Sequence, residues 1–219
     1  MIKKAAALIL IFALMLSCTY MTGCTDMSNR NPVVTFIFDP DTSSGVGGTF
    51  SIELFPEKAP NSVNFFIQLV AEGYYDKLNV SEVHSGASVT IGDLGHAKLN
   101  DRVIKGEFAE NGFTGNDVEI VRGTVCLKLD SGDPDSNYGD FFIVLSDEVG
   151  KELNGKCCAV GKVTEGLELI DDISLAKFYP GNFQPVYSIR TLKATVDLKG
   201  RSYPEAETME RTNYPGMHS

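Results

Sequence analysis

The sequence predicts a mostly β domain with two helices, preceded by a segment that does not belong to the fold. Short β-branched and apolar runs, several of them alternating, are separated by stretches rich in Gly, Asp, Ser and Pro, the pattern of strands and turns. Two segments carry apolar residues at helical spacing. A chain of 219 residues with 43% hydrophobic content can bury one good core and leave tails at its ends.

The N-terminal segment comes first. Lys3 and Lys4 precede an apolar run at residues 5–16, too short for the ~20 residues of a membrane span but suited to a secretory signal. Met21-Thr22-Gly23-Cys24 follows. Small residues before a cysteine, just past an apolar run, resemble the lipobox of bacterial lipoproteins, with Cys24 as the modified N-terminus and Cys18 as the alternative. The expectation is a lipoprotein-type signal peptide over residues 1–23 and a polar tether over 24–31. A plain cleaved signal with Cys24 incidental is the competing reading. Two acyl chains suffice for stable anchoring, so the expected place is extracytoplasmic, held to the bacterial cell membrane through the lipid anchor only.

The net charge is −10. Without Lys3 and Lys4 it becomes 17 basic against 29 acidic residues, or −12. Such a balance argues against nucleic acid or an anionic membrane surface as electrostatic partners and fits a soluble acidic surface. Beyond Cys18 and Cys24, the cysteines are Cys126, Cys157 and Cys158. An odd set of three argues against a full disulfide framework and for buried thiols. No C-x-x-C pair exists and the histidines are scattered, so no metal site is expected.

Residues 33–38 (VVTFIF) read as a strand and 49–55 (TFSIELF) as a second, joined by the flexible loop DPDTSSGVGG. Pro56 to Pro60 ends that strand, and Asn61 is the expected cap of a helix over 62–72. Val63, Phe66, Ile67 and Val70 share one helix face, and Gly73 stops the helix. Residues 124–129 and 141–145 are apolar runs flanking a loop packed with Asp, Ser, Gly and Asn. A second helix is expected at 167–173 and a last strand at 186–198, with a disordered tail from residue 200.

Specific strings then resemble a known family. Arg122-Gly123, a strand, Asp133-Pro134-x-Ser136 and Phe141-Phe142-Ile143 resemble the central hairpin of cyclophilin-type peptidyl-prolyl isomerases. ELFPEKAPNSVNFFIQLVAEGYYDKL (53–78) resembles the same family more strongly, and IKGEFAENGF (104–113) resembles its bacterial members. The likeness covers 32–198, within a domain expected at 32–199. It implies a cyclophilin-like eight-stranded antiparallel β-barrel capped by two α-helices, with no cofactor or metal and as a monomer.

The catalytic strings depart from the family. In NVSEVHSGASVTIGD (79–93), Val83, Gly86, Gly92 and Asp93 keep the frame. The family's arginine is Glu82, its phenylalanine Ala87, its methionine Ser88 and its glutamine Thr90. Its alanine is Lys128, the next asparagine or arginine is Leu129, and its serine-glutamine is Gly139-Asp140. Phe142 and Leu153 keep pocket positions. Glu152 and Cys157 stand where some members carry tryptophan and histidine. Arg102 lies in a separate segment whose likeness to the catalytic string is taken as coincidence. No residue is assigned a catalytic role; the expected peptide groove is Glu82, Ala87, Ser88, Thr90, Lys128, Asp140, Phe142, Leu153 and Cys157. Lys128 and Glu82 are expected to pair across it, with Glu82, Asp140 and Glu152 giving an acidic rim that favours a cationic ligand. Three readings stay open: a binding module for proline-containing or basic segments with weak or no isomerase activity, an active isomerase for exported proteins, and a structural surface lipoprotein. Fold alone does not choose among them.

Overall fold

The computed structural model describes residues 31–93, 101–129 and 132–210. The expected signal segment and both candidate lipidation cysteines, Cys18 and Cys24, lie outside the described residues. Ten strands occur among those described: β1 (Val33–Phe38), β2 (Gly48–Leu54), β3 (Asn79–His84), β4 (Ser88–Gly92), β5 (Arg102–Val103), β6 (Thr124–Leu127), β7 (Phe141–Val144), β8 (Ala159–Glu165), β9 (Thr191–Asp197) and β10 (Met209–Glu210). Eight form one antiparallel sheet in the order β3-β4-β7-β6-β8-β2-β1-β9, while β10 pairs with β5. The sheet curls until its ends meet: Val80 N donates to Ile189 O and Thr191 N to Leu78 O, each at 2.8 Å. This is the expected eight-stranded antiparallel barrel.

Three α-helices accompany it, α1 (Pro60–Ala71), α2 (Asp147–Leu153) and α3 (Leu167–Ser174), one more than the sequence predicts. The addition is α2, only seven residues long and so too short to show helical periodicity. Ser146 caps it by accepting from Val149 N. Gly150 is required there, because a Cβ would lie 2.1 Å from Ile120 O.

The start of α1 also differs from expectation. Ala59, not Asn61, holds the cap position, and no side chain caps from there. Pro60 supplies a first-turn residue with no N–H to satisfy. The Glu107 carboxylate, from a distant segment, accepts from Asn61 N at 3.2 Å and Ser62 N at 2.8 Å. A carboxylate facing the positive end of a helix dipole is stabilising there. At the other end Gly73 adopts φ +73°. Gly73 N bonds Val70 O and Tyr74 N bonds Leu69 O, the paired closure that a left-handed glycine permits.

Alternation divides the strands into two faces. Val34, Phe36 and Phe38 point inward and are essentially unexposed. Phe36 stacks on Phe50 at 4.9 Å and meets Tyr75 and Phe141 at 5.5 and 5.3 Å. A smaller cluster on the outside holds Ile120, Cys126, Val144, Cys157 and Ala159, with Val118, Phe142, Val149 and Leu153 packed against it. Both faces of β6 are therefore covered, which explains why its four residues are all buried.

Two ends of the prediction are corrected. The last strand starts at Thr191 rather than 186, because Val186 N turns back to bond Lys177 O. Residues 201–210, expected to be disordered, run along the domain. Asn61 donates to Glu207 O and accepts from Glu207 N, at 2.9 and 2.7 Å. Ala206 N reaches Gln68 Oε1, and Tyr203 and Ala206 pack on the core. Polar composition hid this segment, since its partners are side chains of α1 and the strand β5 rather than neighbours in sequence.

Candidate functional site

Antiparallel register places the site. On the outer face, Glu82 of β3 lies opposite Thr90 of β4, Thr90 opposite Phe142 of β7, and Phe142 opposite Cys126 of β6. One strand position away the row Val83, Val89, Ile143 and Val125 faces the inner core. Thr90 and Cys126 are buried, whereas Glu82 and Phe142 are half-buried.

Lys128, two residues past Cys126 on the same strand line, sends its ammonium to the Glu82 carboxylate. The expected ion pair is present. Both side chains stay about a third exposed, at 30% and 32%, so water screens it and its worth is about 0.2–1 kcal/mol. The other Glu82 oxygen lies 3.7 Å from His84 Nε2. The His84 ring sits 4.3 Å from that of Phe183, whose loop is tied to β3 by Val83 N donating to Phe183 O. Sequence reading missed His84, which the β3 alternation puts on the same face as Glu82.

Ala87 and Ser88 close the β3–β4 turn, with Ala87 N bonded to His84 O and Gly86 at φ +68°. Small side chains there leave no apolar wall. Leu153 ends α2 and, with Phe142, rests on the outer cluster. Cys157 is buried in that cluster and its Sγ lies 3.9 Å from Leu153 O.

Asp140 is the residue the sequence misplaced. It is buried, not on an acidic rim. Its carboxylate accepts from Tyr74 Oη at 3.0 Å, Tyr138 Oη at 3.2 Å and Asp93 N at 3.2 Å. A Cβ on Gly92 would sit 2.0 Å from it, so that glycine makes the space. Burial pushes its carboxyl up to about 6, against the pull of the three donors and of Lys128. The same burial, with the Asp140 charge, raises the Tyr74 hydroxyl well above its usual range. With Asp140 covered, the acidic surroundings reduce to Glu82, shared with Lys128, and the exposed Glu152. Arg102 is engaged elsewhere: its guanidinium pairs with Glu72 at the end of α1.

Among the described residues, no group of three or more His, Cys, Asp or Glu side chains is placed to hold a metal ion. Nor is any helix there long and apolar enough to cross a membrane. Two surface hollows, of about 220 Å³ beside Asn61 and Phe113 and about 240 Å³ beside Leu175 and Tyr187, lie off the Glu82–Cys126 row.

A family model described as cyclophilin type peptidyl-prolyl cis-trans isomerase/CLD matches residues 37–196. The chain belongs to the cyclophilin family. A probable peptidyl-prolyl cis-trans isomerase of Brucella suis is 31% identical over 133 residues, 58% of this chain and 66% of that protein. This cyclophilin therefore spans just under two thirds of the Brucella relative's length. The peptidyl-prolyl cis-trans isomerase-like 3 of Gallus gallus is 29% identical over 150 residues, 68% of this chain and 90% of that one. The fold resembles a crystal structure of a Cryptosporidium parvum cyclophilin type peptidyl-prolyl cis-trans isomerase, determined in the presence of the dipeptide Ala-Pro. The TM-score is 0.61 at 21% identity, covering 75% of this chain and 98% of that one.

Proposed function

We propose that this cyclophilin is an extracytoplasmic, lipid-anchored protein that binds proline-containing or basic peptide segments with weak or no isomerase activity. The observation that carries the reading is Glu82, held by Lys128, at the position of the family's arginine. An X-Pro bond keeps a barrier of ~18–20 kcal/mol because amide resonance must be broken. A donor aimed at the prolyl nitrogen in the twisted state lowers that barrier by stabilising the developing lone pair. An ionised carboxylate has no proton to give and repels that lone pair. Loss of one preorganised donor costs ~10²–10³ in rate. Ala87 and Ser88 offer little apolar surface to a proline ring, while Phe142 and Leu153 keep the floor on which one can rest. Binding thus survives better than catalysis.

A second reading is supported by Lys128, whose ammonium lies on the same face and could act as a substitute donor toward the prolyl nitrogen. A protease-coupled isomerisation assay with a panel of X-Pro peptides separates the two. The first reading expects turnover at least a hundredfold below an ordinary cyclophilin, with partial recovery in Glu82→Arg. Turnover within tenfold of an ordinary cyclophilin, abolished by Lys128→Ala, establishes the second. For the anchor, Cys24→Ser is expected to shift the protein from the membrane fraction to the soluble one; retention until Cys18 is also replaced assigns the lipid to Cys18.

A further inference from the structure

We propose that Cys126 and Cys157 are a redox pair that closes to a reversible disulfide beneath the groove. Cys126 lies on β6 and Cys157 just ahead of β8. These strands run antiparallel, with Cys126 opposite Ala159 and Leu127 N bonded to Cys158 O. Cys157, two residues before Ala159, therefore shares the outer face with Cys126. Both side chains pack into the same cluster on that face. Both are free. Cys126 is fully buried, whereas Cys157 keeps 7% exposure and forms the entry side.

The third cysteine is accounted for separately. Cys158 points to the opposite face, where its thiol lies 3.2 Å from Ser62 Oγ and belongs to the inner core. Burial pushes its thiol up to about 12. An odd set of three thus resolves into one facing pair and one isolated buried thiol.

The oxidant is a disulfide, either a small molecule or a thiol–disulfide exchange protein, written R′S–SR′. The Cys157 thiol loses its proton to water and attacks one sulfur; R′S⁻ leaves and a Cys157–SR′ mixed disulfide forms. Cys126 then loses its proton, attacks Cys157 Sγ and expels the second R′S⁻. Two protein thiols become one disulfide, and one oxidant disulfide becomes two thiols. Burial holds the Cys126 thiol well above its ordinary range, so the second step is slow near neutral pH and gains about tenfold per pH unit. The bond would draw Cys157 toward β6 under Phe142 and Leu153, which rest on the same cluster. The pairing itself does not depend on what the groove binds.

The test is incubation of the reduced full-length chain with oxidised glutathione, followed by alkylation and non-reducing peptide mapping by mass spectrometry. The expected product is an intramolecular Cys126–Cys157 link, two hydrogens lighter and reversed by dithiothreitol. Cys126→Ser and Cys157→Ser each abolish it, while Cys158→Ser leaves it. Equal urea midpoints of the reduced variants and the parent keep loss of folding from imitating the result. Persistent glutathione on Cys157, a Cys157–Cys158 link, or linkage only in unfolding concentrations of urea overturns the proposal. Affinity for an X-Pro peptide, measured on reduced and linked protein, then reads the groove separately from the bond.

Discussion

The two faces of the same four strands make an instructive contrast. On the inner face Val83, Val89, Ile143 and Val125 meet a wall of Phe36, Phe50, Phe66, Tyr75 and Phe141. On the outer face the offset row is Glu82, Thr90, Phe142 and Cys126. Adjacent residues on one strand thus answer to different demands. Close packing constrains the first row, since changing even a methylene there is felt. The second row is mixed: Thr90 and Cys126 are buried and Phe142 packs on the outer cluster, while Glu82 stays about a third exposed beside Lys128.

The sharpest way to test that contrast is to remove a ring from each face. Phe36→Ala is expected to cost about 3–5 kcal/mol, the range for a fully buried aromatic. Phe142→Ala, half-exposed, should cost under about 2 kcal/mol and instead weaken peptide binding. Urea denaturation beside a peptide titration reads both. Equal stability losses would mean that the outer face is core too.

Asp140 comes next, because it is a buried carboxylate two residues before Phe142. Its carboxyl titrates higher in the fold than unfolded, at about 6 against 3.8. The folded state therefore holds this proton more tightly, and stability from this group is lost as pH rises from about 4 through 6. The change is on the order of 2–3 kcal/mol. Asp140→Asn should flatten that fall. Asp39 and Asp117, lowered by Arg190 and Lys58, shift stability the opposite way, so the readout is the difference between parent and variant across pH 4 to 7. A difference that does not vary with pH would show that Asp140 is not desolvated.

Smaller effects are expected at the edges. Removing residues 201–219 strips the Asn61–Glu207 and Ala206–Gln68 bonds and the Tyr203 packing, at a cost of about 1–2 kcal/mol. An unchanged urea midpoint would make this segment incidental. Smallest is the Lys128–Glu82 coupling, about 0.2–1 kcal/mol in a double-mutant cycle and weaker in high salt. Strict additivity of the two alanine variants would remove the ion pair from the account of the groove.

What the sequence disclosed follows the same division. Alternation in residues 33–38 and 49–55, and helical spacing from Val63 to Val70, report local contacts and were legible. The Glu82–Lys128 pair was legible because the resemblance puts one charge in a slot expected to be uncharged and the other in a slot expected to carry the opposite sign. Asp140 was not, because Tyr74 and Gly92 come from 66 and 48 positions earlier in the chain, and only the tertiary fold brings them over it. Likewise α2 is too short to show a period, and the partners of residues 201–210 lie on α1 and β5.

The Glu107 carboxylate at the head of α1 bears on the order in which the chain assembles. A twelve-residue helix is marginal by itself in water, and this one has no capping side chain of its own. Its missing acceptor arrives from 45 residues downstream. During synthesis α1 therefore leaves the ribosome before the group that completes it. Its first backbone N–H groups gain these acceptors only when the segment around Glu107 docks, so the start of α1 depends on a long-range contact.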